Sequence, residues 1–576
     1  MVMFELTPDR KKLLETQGHI LVLGGPGSGK TTIALIKADH EIQSDKLELS
    51  QRILFLSFAR ATIAQVAQQA GKFLSGPERD VLEINTYHGF AWSLLKSHGY
   101  LLKSGERIRL LPPPEAAARL ADTDVISRPR EKRRIFDEEG LLHFDLFAAL
   151  GTELISRSQA LRKIICDTYP IIILDEFQDT NLDEWQMIQT LGKRSTLIAL
   201  ADPDQRIYEF RGADPKRIGE FITRYSPTPF DFGLENNRSN GTDIVVFGND
   251  LLTEVNTKKN YNDVVLVHYG FYKGRSAHYA MKVVLIKAIK RLKSEKDSWS
   301  LAVLVPTKRL MLHVSDYLTS NTDCLPALSH DVALDTEAPS LAAMLIAGIL
   351  EGSTTPAETS LRLITDLCTY IRGRKGGNAP PNRGELELVV ALGSYLKSGV
   401  IRGKKREQIV GESIRIAEQR YSLQLSGDPW EDWLAILRLL AGSNSEVFRQ
   451  VAEDAKYLRL LRKGGVLRSR LGEIWRTTTG YLGAPSVVRD SLLQEHFSTS
   501  TKEWRGVHVM TIHKAKGKEF DEVIVYEDMY QARIVKTKAS ERDVAQARLA
   551  LRVAVTRAMK RATILTPKKD VCRLLT

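Results

Sequence analysis

Short runs of aliphatic and β-branched residues alternate with stretches of helical periodicity along most of the chain. Ile20–Leu23, Ile53–Phe58, Ile171–Leu174 and Leu197–Leu200 form one group of apolar runs. Leu301–Val305, Val507–Thr511, Val523–Tyr526 and Thr563–Leu565 form a second. Runs this short, with little polar alternation, predict strands covered on both faces, and the helical stretches between them predict parallel sheets flanked by helices. The fold class is therefore α/β. Residues 366–499 interrupt that alternation and read as mostly helical. Within them, Glu446 to Leu461 places Val447, Phe448, Val451, Ala452, Ala455 and Leu458 on one face. Pro112-Pro113-Pro114, Gly352 to Pro356 and Gly376 to Pro381 punctuate the pattern.

Composition narrows the picture only a little. A chain of 576 residues predicts three to five folding units. The four cysteines, Cys166, Cys324, Cys368 and Cys572, lie far apart, which argues against a zinc ribbon or a disulfide scaffold. The first residues lack the basic-then-apolar pattern of a signal peptide, and the most apolar stretch, Leu341 to Leu350, is about half of what spans a bilayer. A cytoplasmic protein without a membrane partner is expected. The net charge of +12 changes the picture once it is located: residues 370–476 hold 20 Lys and Arg against 12 Asp and Glu. That surplus fits a phosphate-facing surface as well as it fits a solvated helical face.

The chemistry begins at Gly24-Gly25-Pro26-Gly27-Ser28-Gly29-Lys30-Thr31, which follows a predicted strand and leads through Thr32 into a predicted helix. This is GxxxxGK[ST] in its strand-loop-helix context. Glycines let successive backbone N–H groups face phosphates, and the helix N-terminus adds a favourable dipole. Lys30 can reach the β- and γ-phosphates, and the Thr31 hydroxyl can ligate Mg²⁺. Ile171 to Leu174 then ends in Asp175-Glu176. A carboxylate at a strand's end can hold the metal opposite the loop, and its neighbour can polarise the attacking water. ATP and Mg²⁺ are the expected ligands.

The continuation Asp175-Glu176-Phe177-Gln178-Asp179-Thr180 resembles the UvrD/Rep-like branch of superfamily 1 helicases. Further segments agree in the family's order: Thr86 to Phe90, Ala201 to Ala213, Leu234 to Ser239, Thr511 to Phe520 and Val553 to Ala558. The resemblance implies two RecA-like parallel-sheet domains of the P-loop NTPase type, each with a mostly helical insertion. The implied divisions are 1–93 and 159–233 for the first domain with 94–158 inserted. The second domain takes 234–365 and 500–576, with the basic segment 366–499 inserted. Lys30, Glu176, Gln205, Arg238 and Arg557 are the implied catalytic residues, the two arginines acting as fingers from the second domain. The ATP set comprises Arg10, Gly24, Gly25, Pro26, Gly27, Ser28, Gly29, Lys30, Thr31, Thr32, Arg238, Glu519 and Arg557, with Thr31 and Asp175 on the metal. Tyr87, His88, Phe210, Arg211, Thr511 and His513 are implied DNA contacts, and Tyr208 is a further candidate, since aromatic stacking grips any base.

Three positions depart from the family pattern. Arg10 falls where an adenine-reading Gln is usual, Asn237 replaces a base-stacking Tyr, and Lys518 replaces a Leu. The first two predict weaker discrimination among nucleoside triphosphates, because a guanidinium lacks the paired donor and acceptor of an amide. The 19 residues after Arg557 predict no appended nuclease domain. The resemblance implies an ATP-dependent 3′-to-5′ translocase or helicase on single-stranded and tailed duplex DNA, in repair or anti-phage defence. The competing expectation is a DNA-sensing ATPase switch that licenses a partner nuclease.

Overall fold

A computed structural model describes residues 6–44, 47–58, 60–103, 108–203, 214, 216–233, 239, 241–332, 337–376, 380–456, 465–497, 504–530, 532–535 and 539–575. The chain divides into two compact units. One comprises residues 1–94, 148–334 and 499–576, and the other residues 95–147 and 335–498.

The first unit holds two six-stranded parallel sheets. The strands of the first lobe are β1 (Ile20–Leu23), β2 (Ile53–Ser57), β3 (Leu82–Thr86), β4 (Ile171–Leu174), β5 (Thr196–Ala201) and β6 (Thr228–Asp231), in the order β3-β2-β4-β5-β1-β6. The second lobe is built on β7 (Val264–Tyr269), β8 (Ser300–Val305), β9 (Asp331–Val332), β10 (Gly506–Thr511), β11 (Phe520–Tyr526) and β12 (Ala558–Pro567), in the order β9-β10-β8-β11-β12-β7. The interior strands carry the apolar runs that the sequence shows; β2, β8 and β11 are buried along their whole length. All four edge strands, β3, β6, β7 and β9, are additional to the eight runs expected from the sequence. Each is partly exposed; β3, β6 and β9 mix polar with apolar residues and show no continuous apolar run, whereas β7 opens on the apolar run Val264-Val265-Leu266-Val267.

Strand order decides which residues meet. Parallel strands point their carboxyl ends to one edge of the sheet, where ligands of open α/β sheets bind. In the first lobe that edge brings together Ser57 after β2's apolar residues, Asp175 after β4, Asp202 after β5 and the glycine-rich loop after β1.

Among the described residues the second unit is helical apart from one two-residue parallel pairing, Arg109–Leu110 with Leu141–Leu142. The helix Glu337–Glu351 runs through its core, with Leu341, Leu345, Ile346 and Leu350 buried beside Leu367, Tyr370 and Trp433. That helix explains the chain's most apolar stretch: it is surrounded by other helices and has no solvent face to decorate. Two expected boundaries differ from the observed ones. Residues 148–158 pack with the sheets because the helix Phe147–Arg157 buries Leu150, Leu154 and Ile155. Residues 335–365 belong to the helical unit. The helix Glu446–Ala455 buries Phe448, Val451, Ala452 and Ala455, as its periodicity predicts. No described helix is long and apolar enough to cross a membrane.

Candidate functional site

The loop after β1 needs glycine at particular positions. Gly27 and Gly29 have φ of 78° and 87°, a region that side-chain-bearing residues avoid. A Cβ on Gly24 would lie 2.6 Å from Ser28 Oγ, so the loop closes tightly on itself. Gly29 caps the helix Lys30–Gln43, whose first-turn N–H groups and dipole face the loop. Lys30 folds back, its Nζ donating to the carbonyls of Gly24 at 2.6 Å and Gly25 at 3.0 Å. Thr31 and Thr32 occupy the same first turn and are half-buried. This is a cradle for an anion, with an ammonium tied to its rim.

Arg10, on the helix Pro8–Glu15, is buried beside that loop. Its Nη2 donates to Ser28 O at 3.3 Å and its guanidinium lies 5.3 Å from the Phe232 ring centroid. It braces the loop from behind.

Two strands away, Asp175 is 5% exposed and accepts a 2.9 Å hydrogen bond from Ser57 Oγ. Burial and the adjacent Glu176 push its carboxyl up to about 7. Glu176 takes a left-handed backbone conformation, φ 51°, uncommon for a residue with a side chain. Gln178 Nε2 donates to Glu176 Oε2 at 2.5 Å, and Gln178 Oε1 accepts from the Asp202 N–H at 3.1 Å. One amide side chain thus ties the ends of β4 and β5 together.

The second lobe supplies the positive charge. Lys516 is buried and ion-paired to Asp179, with Glu176 Oε2 at 3.7 Å. Burial opposes ionisation of Glu176, yet the charges of Lys516, Lys30 and Arg557 overcome it and hold that carboxyl below its ordinary range. Burial instead pushes Asp179 up to about 7 against the pull of Lys516. Arg557 is 2% exposed, its Nε donating to Val553 O at 3.1 Å and its Nη2 to Thr556 Oγ1 at 3.4 Å. Glu519 is half-buried at the entry to β11. Lys518 lies 5.4 Å from the Trp504 ring centroid and donates to Lys514 O. Burial, with the charges of Lys514 and Arg557, lowers its ammonium to about 8. The substitution of Leu by Lys thus keeps an apolar stem against an indole and places the cation over its face.

Tyr87 is the first of the expected DNA contacts along the chain. It is 1% exposed, its ring lies 4.6 Å from that of Phe58, and its hydroxyl has no hydrogen-bond partner among the described residues. At the start of the helix Tyr87–His98 it faces the core, where a ring adds apolar area and offers no free face to a base. His88, on the same turn, is 45% exposed with Nδ1 3.7 Å from Glu184 Oε1. Thr511 caps the short helix Ile512–Ala515 on which His513 is exposed. Gln205, Tyr208, Phe210, Arg211, Asn237 and Arg238 lie outside the described residues.

Four groups that sequence reasoning assigned no role are part of this site: Ser57, Gln178, Asp179 and Lys516. The last three stand inside the recognised motifs, but nothing in their spacing says that they meet. Ser57 carries no motif signal.

The residues present fit a magnesium–nucleotide. A buried carboxylate facing a glycine cradle, with a threonine on the cradle's first helical turn, is the oxygen donor set that Mg²⁺ takes beside phosphates.

A nucleoside-triphosphate-binding α/β protein with two lobes is the class these features define. Residues 6–132 and 116–226 match the UvrD/REP helicase N-terminal domain, and residues 484–569 the UvrD-like helicase C-terminal domain. Together these cover more than half of the chain, which belongs to the UvrD/Rep helicase family. It is 26% identical over 257 residues to ATP-dependent DNA helicase Rep of Escherichia coli (strain K12), 37% of this chain and 38% of that protein. It is 24% identical over 290 residues to DNA helicase II of the same organism, 43% of this chain and 40% of the relative. Over 88 residues, 15% of this chain, it is 39% identical to RecBCD enzyme subunit RecB of Buchnera aphidicola subsp. Schizaphis graminum (strain Sg), 8% of that subunit. The aligned regions thus span about two fifths of Rep and DNA helicase II.

Proposed function

We propose that this protein is an ATP- and Mg²⁺-dependent motor on DNA, a 3′-to-5′ single-strand translocase that unwinds tailed duplexes. One observation carries the reading: Glu176, assigned here to activate water at the end of β4 in the first lobe, lies through Oε2 3.7 Å from Nζ of Lys516 in the second lobe. Hydrolysis that depends on both lobes is the means by which chemistry becomes motion.

In this mechanism the glycine loop and Lys30 bind the triphosphate, and Thr31 and Asp175 would hold a magnesium ion, which when bound would supply positive charge against the phosphates. Ser57 orients Asp175. Glu176, kept ionised by the three cations, accepts the proton of the attacking water. Arg557, with Arg238, neutralises charge that develops on the transferred phosphoryl group. The DNA track runs through His88, Phe210, Arg211, Thr511 and His513, and the basic segment 370–476 contacts duplex.

The test is the ATPase rate with no polymer, single strand, duplex and RNA in parallel, followed by strand displacement on 3′- and 5′-tailed duplexes. Single-stranded DNA should stimulate the rate, and Lys30→Ala should abolish hydrolysis while leaving DNA binding intact. DNA-stimulated turnover retained in Lys30→Ala refutes the site assignment.

A second reading draws on the RecB similarity, since that relative is named as a subunit of a larger enzyme. Here the ATPase licenses a partner nuclease in repair or anti-phage defence in the cytoplasm. A rate indifferent to every polymer, with a second protein co-purifying, favours this reading.

A further inference from the structure

Arg552 carries no role in the proposed hydrolysis, yet it is among the largest fully buried side chains of the protein. It stands on the helix Glu541–Val555 of the second lobe and crosses to the first. Its Nη1 lies 3.7 Å from Asp202 Oδ2, at the end of β5, and both side chains are almost fully buried. Its Nη2 donates to Asn249 Oδ1 at 3.1 Å, a neutral amide on the helix Ile244–Thr253 of its own lobe. That helix approaches the arginine at Gly248, where a Cβ would sit 3.4 Å from Arg552 Cγ. A Cβ on Gly25 would lie 3.9 Å from Arg552 Nη2. The guanidinium therefore rests against the second residue of the glycine loop.

Gly25 is also where Lys30 is tied, through its carbonyl at 3.0 Å. The lysine of such a loop reaches the β- and γ-phosphates. Two cations from opposite lobes thus converge on Gly25 of the glycine loop.

The Asp202 contact is long. A charge-assisted hydrogen bond closes to about 2.7–2.9 Å, so at 3.7 Å this particular contact is an ion pair without a hydrogen bond. A guanidinium keeps its charge at any working pH and presents a fork that suits phosphate oxygens.

We propose that Arg552 is a further nucleotide-contacting residue, which leaves Asp202 for the terminal phosphate of a bound triphosphate while Asn249 holds its other edge. The proposal rests on the phosphate-loop reading and adds a function to it. A contact made with the triphosphate and absent with the diphosphate supplies the differential affinity by which one state of the cleft is favoured over the other.

The experiment measures binding, not turnover. Calorimetry with Mg²⁺ and either AMP-PNP or ADP is run on the full chain and on Arg552→Ala, Arg552→Lys, Asp202→Asn and Lys30→Ala. Arg552→Ala should weaken AMP-PNP about tenfold or more and ADP less than about threefold, as loss of one charge-assisted contact confined to the terminal phosphate requires. Arg552→Lys, which keeps the charge and loses the fork, should fall between. Asp202→Asn removes the competing carboxylate and should raise the preference for AMP-PNP over ADP by about threefold. An unchanged AMP-PNP to ADP ratio in all three variants overturns the proposal and makes Arg552 an interlobe packing residue. If Arg552→Ala fails to fold by thermal unfolding, the Lys and Asn variants decide. Failure of the wild-type protein to bind either nucleotide, or retention of binding by Lys30→Ala, overturns the phosphate-loop reading itself.

Discussion

The Lys516–Asp179 contact joins residues 337 positions apart and is buried on both sides, at 4% and 1% side-chain exposure. Glu176 Oε2 is a second anion 3.7 Å from the same ammonium. At an effective dielectric constant of about 20, unit charges at that separation attract by about 4 kcal/mol, much of it offset by the desolvation of both. Replacing the lysine removes the attraction but leaves Asp179 buried and Glu176 half-buried without it, which costs about 3–5 kcal/mol. Lys516→Met should therefore destabilise the sheet-bearing unit by that amount. Asp179→Asn should cost less, because the ammonium keeps Glu176. The double variant should be more stable than the sum of the singles predicts, by at least about 1.5 kcal/mol. Hydrogen exchange in segments 171–180 and 512–516 across a urea series reads this unit separately from the helical one. Effects that add within about 0.5 kcal/mol would show that the two side chains are neighbours without being partners, and would remove the link between the second lobe and Glu176.

Ser57→Ala takes away the hydroxyl that orients Asp175, so the Mg²⁺ concentration for half-maximal ATPase should rise about tenfold with little change in fold. An unchanged Mg²⁺ titration would show that Asp175 needs no orienting partner. His143 is half-buried and accepts the Asp145 N–H at 3.0 Å through Nδ1, and the desolvation of its ring lowers its pKa to about 4. The unfolded chain binds that proton first. The native state should therefore keep its full stability above about pH 6.5 and lose about 3 kcal/mol as pH falls to 4. His143→Gln should flatten that part of the stability–pH curve. Lys404, Lys405 and Arg406 open the helix Lys404–Ser422 and make no ion pair among the described residues. Cations at a helix N-terminus oppose its dipole, so Glu at these positions should leave the fold intact or firmer. Duplex binding should weaken, with its log–log salt slope reduced by about 2–3; an unchanged slope would place the duplex elsewhere.

The limits of the sequence reading come from how a parallel sheet is built. All eight strands that apolar runs reveal lie inside their sheets, and all four that escape notice lie at the edges. An interior strand is covered on both faces and has to be apolar throughout. An edge such as Leu82–Thr86 or Thr228–Asp231 is partly wet, and its residues read as turn or loop. Domain boundaries blur for a related reason. The helix Glu337–Glu351 is as apolar as any sheet-covering helix, and only its surroundings, Leu367, Tyr370 and Trp433, reveal that it is the core of another unit.

The same distinction governs the site. Phosphate chemistry needs particular residues at fixed local spacing, so Gly24 to Thr31 and Asp175-Glu176 announce themselves over a few positions. Their electrostatics depend on groups brought together across the fold. Nothing around Lys514, Lys516 and Lys518 says which lysine meets Asp179; the structure buries Lys516 in an ion pair and lays Lys518 over Trp504. Tyr87 shows the same gap: its place in a motif implies a stacking face, while in the fold its ring is buried against Phe58. A motif thus states which reaction the chain is built for. The contacts between the lobes, such as Lys516–Asp179 and Arg552–Asp202, exist only when two distant segments close on each other.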